Sequence, residues 1–390
     1  MAENYIFGLR GTFLNFSQDV TAKMKINNSS LALGLIIGLL FGGFLGWYIA
    51  PRGTPTLIRI TTSGSTTIHP LSTKWAEEYT VEFPSVQIQV SAGGSGLGQT
   101  QAAEGIVDIG ASSSYPDSDY LDANPTVKVI PVAADALAVI SNNAVNGSAG
   151  FRLTRNQAIS IFNGSIVSWE DFETTWDTIV EVTGSIEVYV RSDASGTTAT
   201  FGKWLEGGIG WSLGHKESIS WPGQPNFHAV DGNPGVKSGV QSDPNGIGYV
   251  GLAYLESVSA AELYNEGNDE WVSPSPEAAK IAIPTELTDP GDSLMDSPTA
   301  GAYPIVRLLF YLVNTNYVRT ASLEFVRWCL TTGQNPTWIQ VDVGYLDIND
   351  TGAQTLALNI IDGITPISAQ IPIPQNSAMV HLTKIRESKS

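Results

Sequence analysis

Three segments of the chain share one construction: a strand-like run, a short loop of glycine and hydroxyl residues, and a helix-forming stretch. They are TTSGSTTIHP (61–70), SAGGSGLG (91–98) and RSDASGT (191–197). A loop of this kind presents free backbone N–H groups at a helix N-terminus, where the dipole is positive, beside Ser and Thr hydroxyl donors. A single one commonly caps its helix and nothing more. Three in one chain, the third opening on Arg191, point to an oxyanion held by neutral dipoles and one guanidinium. None of them is a G-x-x-x-x-G-K-[ST] phosphate loop, and SAGGSGLG misses the G-x-G-x-x-G spacing, so nucleotide hydrolysis is unsupported.

Asp108, in VDIGASSS, ends a predicted strand beside these loops. A carboxylate facing an anion repels it unless the anion brings a proton to donate. Hydrogen phosphate carries one at neutral pH and sulfate does not, so a buried acceptor at Asp108 selects the former. Catalysis finds little support. Ser195 sits in D-A-S-G-T rather than a G-x-S-x-G elbow. The four histidines (His69, His215, His228, His381) and the single Cys329 show no metal-ligand spacing. The expectation is therefore a binding protein with no catalytic residue, no metal and no cofactor; a phosphate-ester hydrolase is the rival from another class.

The elements that position these loops alternate. Strands are expected over 56–63, 86–92, 106–113, 127–142, 186–192 and 305–314, with helices over 70–81, 97–103, 154–162, 197–205 and 321–332. That order implies an α/β fold with mainly parallel sheets flanked by helices. Residues 264–304, rich in Pro, Asp, Ser and Glu, read as surface loop, and Cys329 as a buried small hydrophobe.

With 38 acidic against 20 basic residues the formal charge is −18, which excludes a general affinity for nucleic acid. Charged residues are only 15% of the chain, so Ser, Thr, Asn and Gly must carry much of the polar surface. Residues 31–50, LALGLIIGLLFGGFLGWYIA, are long and apolar enough to cross a bilayer as one helix, with Trp47 and Tyr48 at the interface. Ala50 is followed by Pro51, a poor cleavage context, which favours an uncleaved transmembrane signal anchor over a removed leader. Residues 1–30 are then an N-terminal tail or an over-extended leader, and everything after 51 lies outside the cytoplasm, secreted if the anchor is cleaved.

Taken together, the three loops, VDIGASS, IFNGSIVSWED (161–171), VQSDPNGIGYVGLAYL (240–255), YPIVRLLFYLVN (303–314) and LEFVRWCLTTG (323–333) resemble the substrate-binding protein of the high-affinity phosphate ABC importer. The likeness runs in order over about residues 56–350. It implies a two-lobed, hinged periplasmic-binding-protein-like fold preceded by the N-terminal transmembrane helix. Lobe one is 55–138 with 306–390, lobe two is 139–305, and the crossovers fall near Ala138 and Val306. Carried over by position, it puts Ser65, Thr66 and Thr67 on phosphate from the first loop and Ser95 from the second. Asp108 becomes the acceptor, and Arg191, Ser195, Gly196 and Thr197 come from the third loop. Asp193 orients Arg191 from behind. The partners implied are inorganic phosphate, the ABC permease subunits and the membrane; sulfate or molybdate is the alternative ligand.

Overall fold

A computed structural model of the protein describes residues 57–146, 151–177 and 179–367. Residues 31–50 lie outside these, and among the described residues no helix is long and apolar enough to cross a membrane. In chain order the elements that matter here are β1 (Ile58–Gly64), α1 (His69–Glu82), β2 (Val86–Ala92), α2 (Ser95–Ala103), β3 (Ile109–Ser112) and β4 (Val127–Ser141). There follow α3 (Arg155–Phe162), β5 (Glu187–Arg191), α4 (Gly196–Glu206), β6 (Phe227–Val230), α5 (Gly232–Ser242), β7 (Gly246–Gly251), β8 (Val306–Asn314), α6 (Thr320–Leu330) and α7 (Gly352–Asp362).

Beside a separate three-stranded sheet formed by Arg152–Leu153, Glu262–Asn265 and Glu270–Val272, these strands lie in one sheet in the order β2-β1-β3-β8-β4-β7-β5-β6. Its two ends, β2-β1-β3 and β7-β5-β6, are parallel within themselves. They are joined by antiparallel β8 and β4. Strand β4 serves both halves: Val127–Ala136 pairs with β8, and Leu137–Ser141 turns to β7. This gives the mixed α/β, two-lobed periplasmic-binding-protein-like fold, with β4 shared by the two halves of the sheet.

The sequence explains the layering. β4 and β8 are apolar runs buried along both faces, with Lys128 the one exposed residue of β4. Pro131 cannot donate to the ladder, and the β4–β8 register shifts there, opposite Leu309 and Phe310. On α1, Leu71, Trp75 and Tyr79 recur every four residues and bury one stripe, Pro70 opens the helix, and the Trp75 indole donates to the Gly333 carbonyl at 2.7 Å. Cys329 is fully buried in α6, and burial pushes its thiol well above the usual range.

Two expectations change. The strand expected over 106–113 is short, Ile109–Ser112, and leaves Asp108 outside it. Residues 264–304 are not simply surface loop. Glu270–Val272 pairs with Glu262–Asn265, Ser275 caps a helix over Pro276–Ile281, and Ala279, Leu294 and Tyr303 are buried. Their apolar residues are spaced too irregularly to show a period, yet each covers the core singly.

Candidate oxyanion site

The loops converge because each follows the C-terminal end of a parallel strand, where an open α/β sheet leaves a crevice. β1 ends at Gly64, whose φ is +140° and whose Cβ, if it had one, would lie 2.1 Å from the Ala111 carbonyl oxygen. Only glycine lets the chain turn there. The Gly64 carbonyl accepts from the N–H groups of Gly93 and Gly94 (2.9 and 3.0 Å), tying the second loop to the first. Ser65 Oγ accepts from the Thr67 N–H at 3.1 Å and shapes the turn into α1. Ser195 caps α4 by accepting from the N–H groups of Thr197 and Thr198, both at 3.2 Å.

The hydroxyls then meet across the crevice. Thr67 Oγ1 lies 2.8 Å from Thr197 Oγ1, and Asn233 Nδ2 donates to Thr67 Oγ1 at 2.8 Å. The Asn233 N–H donates to Thr66 Oγ1 at 3.3 Å. Ser95 Oγ accepts from the Ser113 N–H at 3.0 Å, and the Gly96 N–H donates to the Ala194 carbonyl at 3.2 Å. A Cβ on Gly196 would come within 2.6 Å of Ser95 Oγ, so the third loop touches the second only because that residue is glycine. Ser65, Thr66, Thr67, Ser95, Arg191, Ser195, Gly196 and Thr197 are thus brought together, and all are buried.

Arg191 supplies the charge. Its Nε donates to Asp193 Oδ1 at 2.6 Å and its Nη2 to Asp193 Oδ2, while Nη1 is buried with no protein partner. Burial alone raises the Asp193 carboxyl, but the hydrogen bonds and charge of Arg191, with the Gly232 N–H, outweigh it and hold the group below its usual range. A second pair stands behind the hydroxyls: Arg307 Nη2 donates to Asp135 Oδ2 at 2.8 Å, to Thr197 Oγ1 at 3.2 Å and to Thr67 Oγ1 at 3.3 Å. Asp135 is fully buried, and burial raises its carboxyl although Arg307 opposes the shift. Farther out, Glu217 Oε1 accepts from Gln99 Nε2 and Ser114 Oγ, both at 2.7 Å; burial raises this carboxyl too, against those two bonds. A cavity of about 670 Å³ adjoins the cluster, lined there by Gly96, Ser113, Thr200 and Arg307.

Asp108 is not part of this cluster, which corrects the expectation placed on it. Its Oδ1 accepts from Arg319 Nε at 2.8 Å and from Ser322 Oγ at 3.2 Å. Its Oδ2 accepts from the Thr61 N–H and Oγ1 at 2.8 and 3.0 Å. It therefore fastens α6 to the start of β3, with both oxygens engaged. Ser113, five residues along, is the residue of that segment that reaches Ser95. Sequence reasoning also missed Asn233, Asp135 and Arg307. The last two had a signal: one charge of each sign inside two apolar runs, here directly opposed in register on β4 and β8. Among the described residues no three His, Cys, Asp or Glu side chains group as metal ligands.

The cluster is chemically a set of donors, with two arginine-neutralised carboxylates behind it, suited to a desolvated tetrahedral anion. Known proteins agree with that reading. Residues 50–332 match the family model described as the PBP superfamily domain. The phosphate-binding protein PstS of Methanocaldococcus jannaschii is 30% identical over 344 residues, which span 80% of this chain and 87% of that protein. Two solved structures share the fold. An ABC-type phosphate transport receptor from Vibrio cholerae aligns with a TM-score of 0.52 at 22% identity, over 74% of this chain and 99% of that one. The high-affinity periplasmic phosphate-binding protein PfluDING, bound with phosphate, aligns with a TM-score of 0.61 at 17% identity, over 77% of this chain and 93% of that one. The chain belongs to the PBP superfamily and, within it, to the family of phosphate-binding proteins.

Proposed function

We propose that the protein is an extracytoplasmic receptor that captures inorganic phosphate between its lobes and delivers it to an ABC import permease. The observation that carries this is Arg191. A guanidinium locked by Asp193 at the start of the third loop, with Nη1 buried and unpartnered, wants an anionic oxygen. Family membership favours phosphate and a receptor rather than a phosphate-ester hydrolase. In this reading Thr66, Thr67, Ser95, Arg191, Ser195, Gly196 and Thr197 surround the ligand, with Ser65 shaping the first loop. The Thr197 N–H already serves the Ser195 cap, so its hydroxyl is the better donor. Lobe one is 55–138 with 306–390 and lobe two 139–305, and closure of the cleft gives the permease a shape to recognise. Residues 31–50 anchor the receptor in the membrane as a single pass.

Titration of the purified chain with inorganic phosphate, followed by tryptophan fluorescence, tests the receptor role. Saturation at micromolar phosphate is expected, and no saturable response below millimolar overturns the reading. A receptor for sulfate or molybdate gains from one observation, the removal of Asp108 from the site, since the remaining donors do not require a protonated anion. Competition by sulfate at equal concentration decides between them.

A further inference from the structure

We infer that Arg307 is a positioning residue of the anion site, one that fixes which way its threonine hydroxyls point their protons. The inference rests on the phosphate-receptor reading and deepens it. Each hydroxyl has one proton to give and two lone pairs to fill. Thr67 Oγ1 receives from Asn233 Nδ2 at 2.8 Å and from Arg307 Nη2 at 3.3 Å; of the two Nη2 protons one goes to Asp135 and the other is shared between Thr67 and Thr197. With both lone pairs engaged, it can only donate, and its neighbour is Thr197 Oγ1 at 2.8 Å. Thr197 Oγ1 then receives from Thr67 and from Arg307 Nη2 at 3.2 Å, so its own proton is directed outward, to the anion. A guanidinium can only donate, so Arg307 fills one lone pair on each hydroxyl, and the Asn233 amide, which reaches Thr67 alone, sets the direction between them.

The device belongs to the sheet rather than to a loop. Arg307 and Asp135 are register partners on β8 and β4, Asp135 Oδ2 takes Arg307 Nε and Nη2, and its Oδ1 takes the Leu252 N–H at 3.1 Å. The Arg307 side chain is almost wholly buried and its Nη1 reaches Thr200 Oγ1 at 3.4 Å. Its charge is balanced by Asp135, so what it contributes to the ligand is the orientation of Thr67 and Thr197. Without it, the Thr197 proton can turn back to Thr67 and present a lone pair to the anion, exchanging an attraction for a repulsion.

The test is a double-mutant cycle read as the dissociation constant of inorganic phosphate. Removing both charges together, Arg307→Met with Asp135→Leu, avoids leaving a lone buried carboxylate and preserves the fold, checked by its thermal melt. The expected result is a Kd raised about tenfold or more in that pair variant. Thr197→Val should then cost about tenfold in the native background but less than about threefold in the pair variant. Ser95→Ala, whose hydroxyl does not touch Arg307, should cost the same factor in both. A pair variant within about twofold of native affinity, or a Thr197→Val factor equal in the two backgrounds, overturns the inference. Arg307→Lys keeps a cation beside Asp135 but loses the fork, and runs the same cycle independently: coupling to Thr197 supports the inference, native affinity overturns it. A native chain with no saturable phosphate response fails earlier, at the receptor reading itself, and is told apart by that.

Discussion

Two arginine–aspartate pairs flank the same hydroxyls and are built to opposite ends. In the Arg191–Asp193 pair, two residues apart in one loop, the carboxylate takes Nε and Nη2 and leaves Nη1 with no protein partner. In the Arg307–Asp135 pair, opposed on two central strands, each of the three guanidinium nitrogens has a protein partner, on Asp135, Thr67, Thr197 or Thr200. The first pair holds one donor in reserve for something outside the chain. The second is complete, and spends its donors on ordering its neighbours. A buried ion pair is thus not one kind of feature: a guanidinium nitrogen left without any partner separates a ligand site from its scaffold.

Breaking the complete pair is expected to have the largest effect, and on folding. Arg307→Met alone strands the Asp135 carboxylate at full burial and is expected to cost about 3–5 kcal/mol, lowering the melting temperature by roughly 10 °C. Calorimetry on the apo chain checks it; a loss no greater than that of the paired Arg307→Met/Asp135→Leu variant erases the contrast between the two sites. Arg191→Met should show the reverse profile. Phosphate affinity falls about 10²–10³-fold, roughly 3–4 kcal/mol, because a charge-assisted contact goes, while the melt changes much less. An affinity loss of less than tenfold would remove Arg191 from the ligand.

The pairs also divide on acid. Asp193 sits below its ordinary value of 3.8, so its contribution to stability is present above that pH and is lost as pH falls through it. Asp135 is shifted upward, so its contribution runs the other way, greatest in acid and declining as pH rises above 3.8. Denaturant unfolding of native, Asp193→Asn and Asp135→Asn chains between pH 3 and 7 reads the two slopes. Parallel curves for the two variants would show that the pairs are not distinct.

What was legible in the sequence follows from how local each signal is. The loops at 61–70, 91–98 and 191–197 are each contiguous, and a strand, a small-residue turn and a helix start fit within about ten residues. Arg191 and Asp193 fall in one of them, two residues apart, so the resemblance that the loop carries could imply their partnership. Arg307 and Asp135 are 172 residues apart, and only the pairing of β8 with β4 makes them neighbours. Asn233, at the start of α5, reaches Thr66 and Thr67 across the crevice from a stretch without any comparable motif. Asp108 misled for a related reason. The segment VDIGASS does run to the site, but a strand beginning at Ile109 puts Asp108 at the opening end of β3, whereas the crevice lies at the closing end, where Ser113 stands. Five residues along a strand, at about 3.3 Å each, separate the two roles.

Asp108 supplies the smallest effect and the control. It forms a third pair, with Arg319 Nη2 at 2.7 Å, partly exposed and far along β3 from the hydroxyls. Asp108→Asn keeps the shape, loses one partly solvated ion pair, and is expected to cost about 1 kcal/mol in the melt. The ratio of phosphate to sulfate affinity should stay within about twofold of native, since neither oxygen of Asp108 faces the site. A ratio that narrows tenfold would return the acceptor role to Asp108 and would mean that α6 releases it when the ligand binds. An unchanged ratio, set beside a collapse of binding in Arg191→Met and of folding in Arg307→Met, ranks the three pairs by what each arginine still has left to bind.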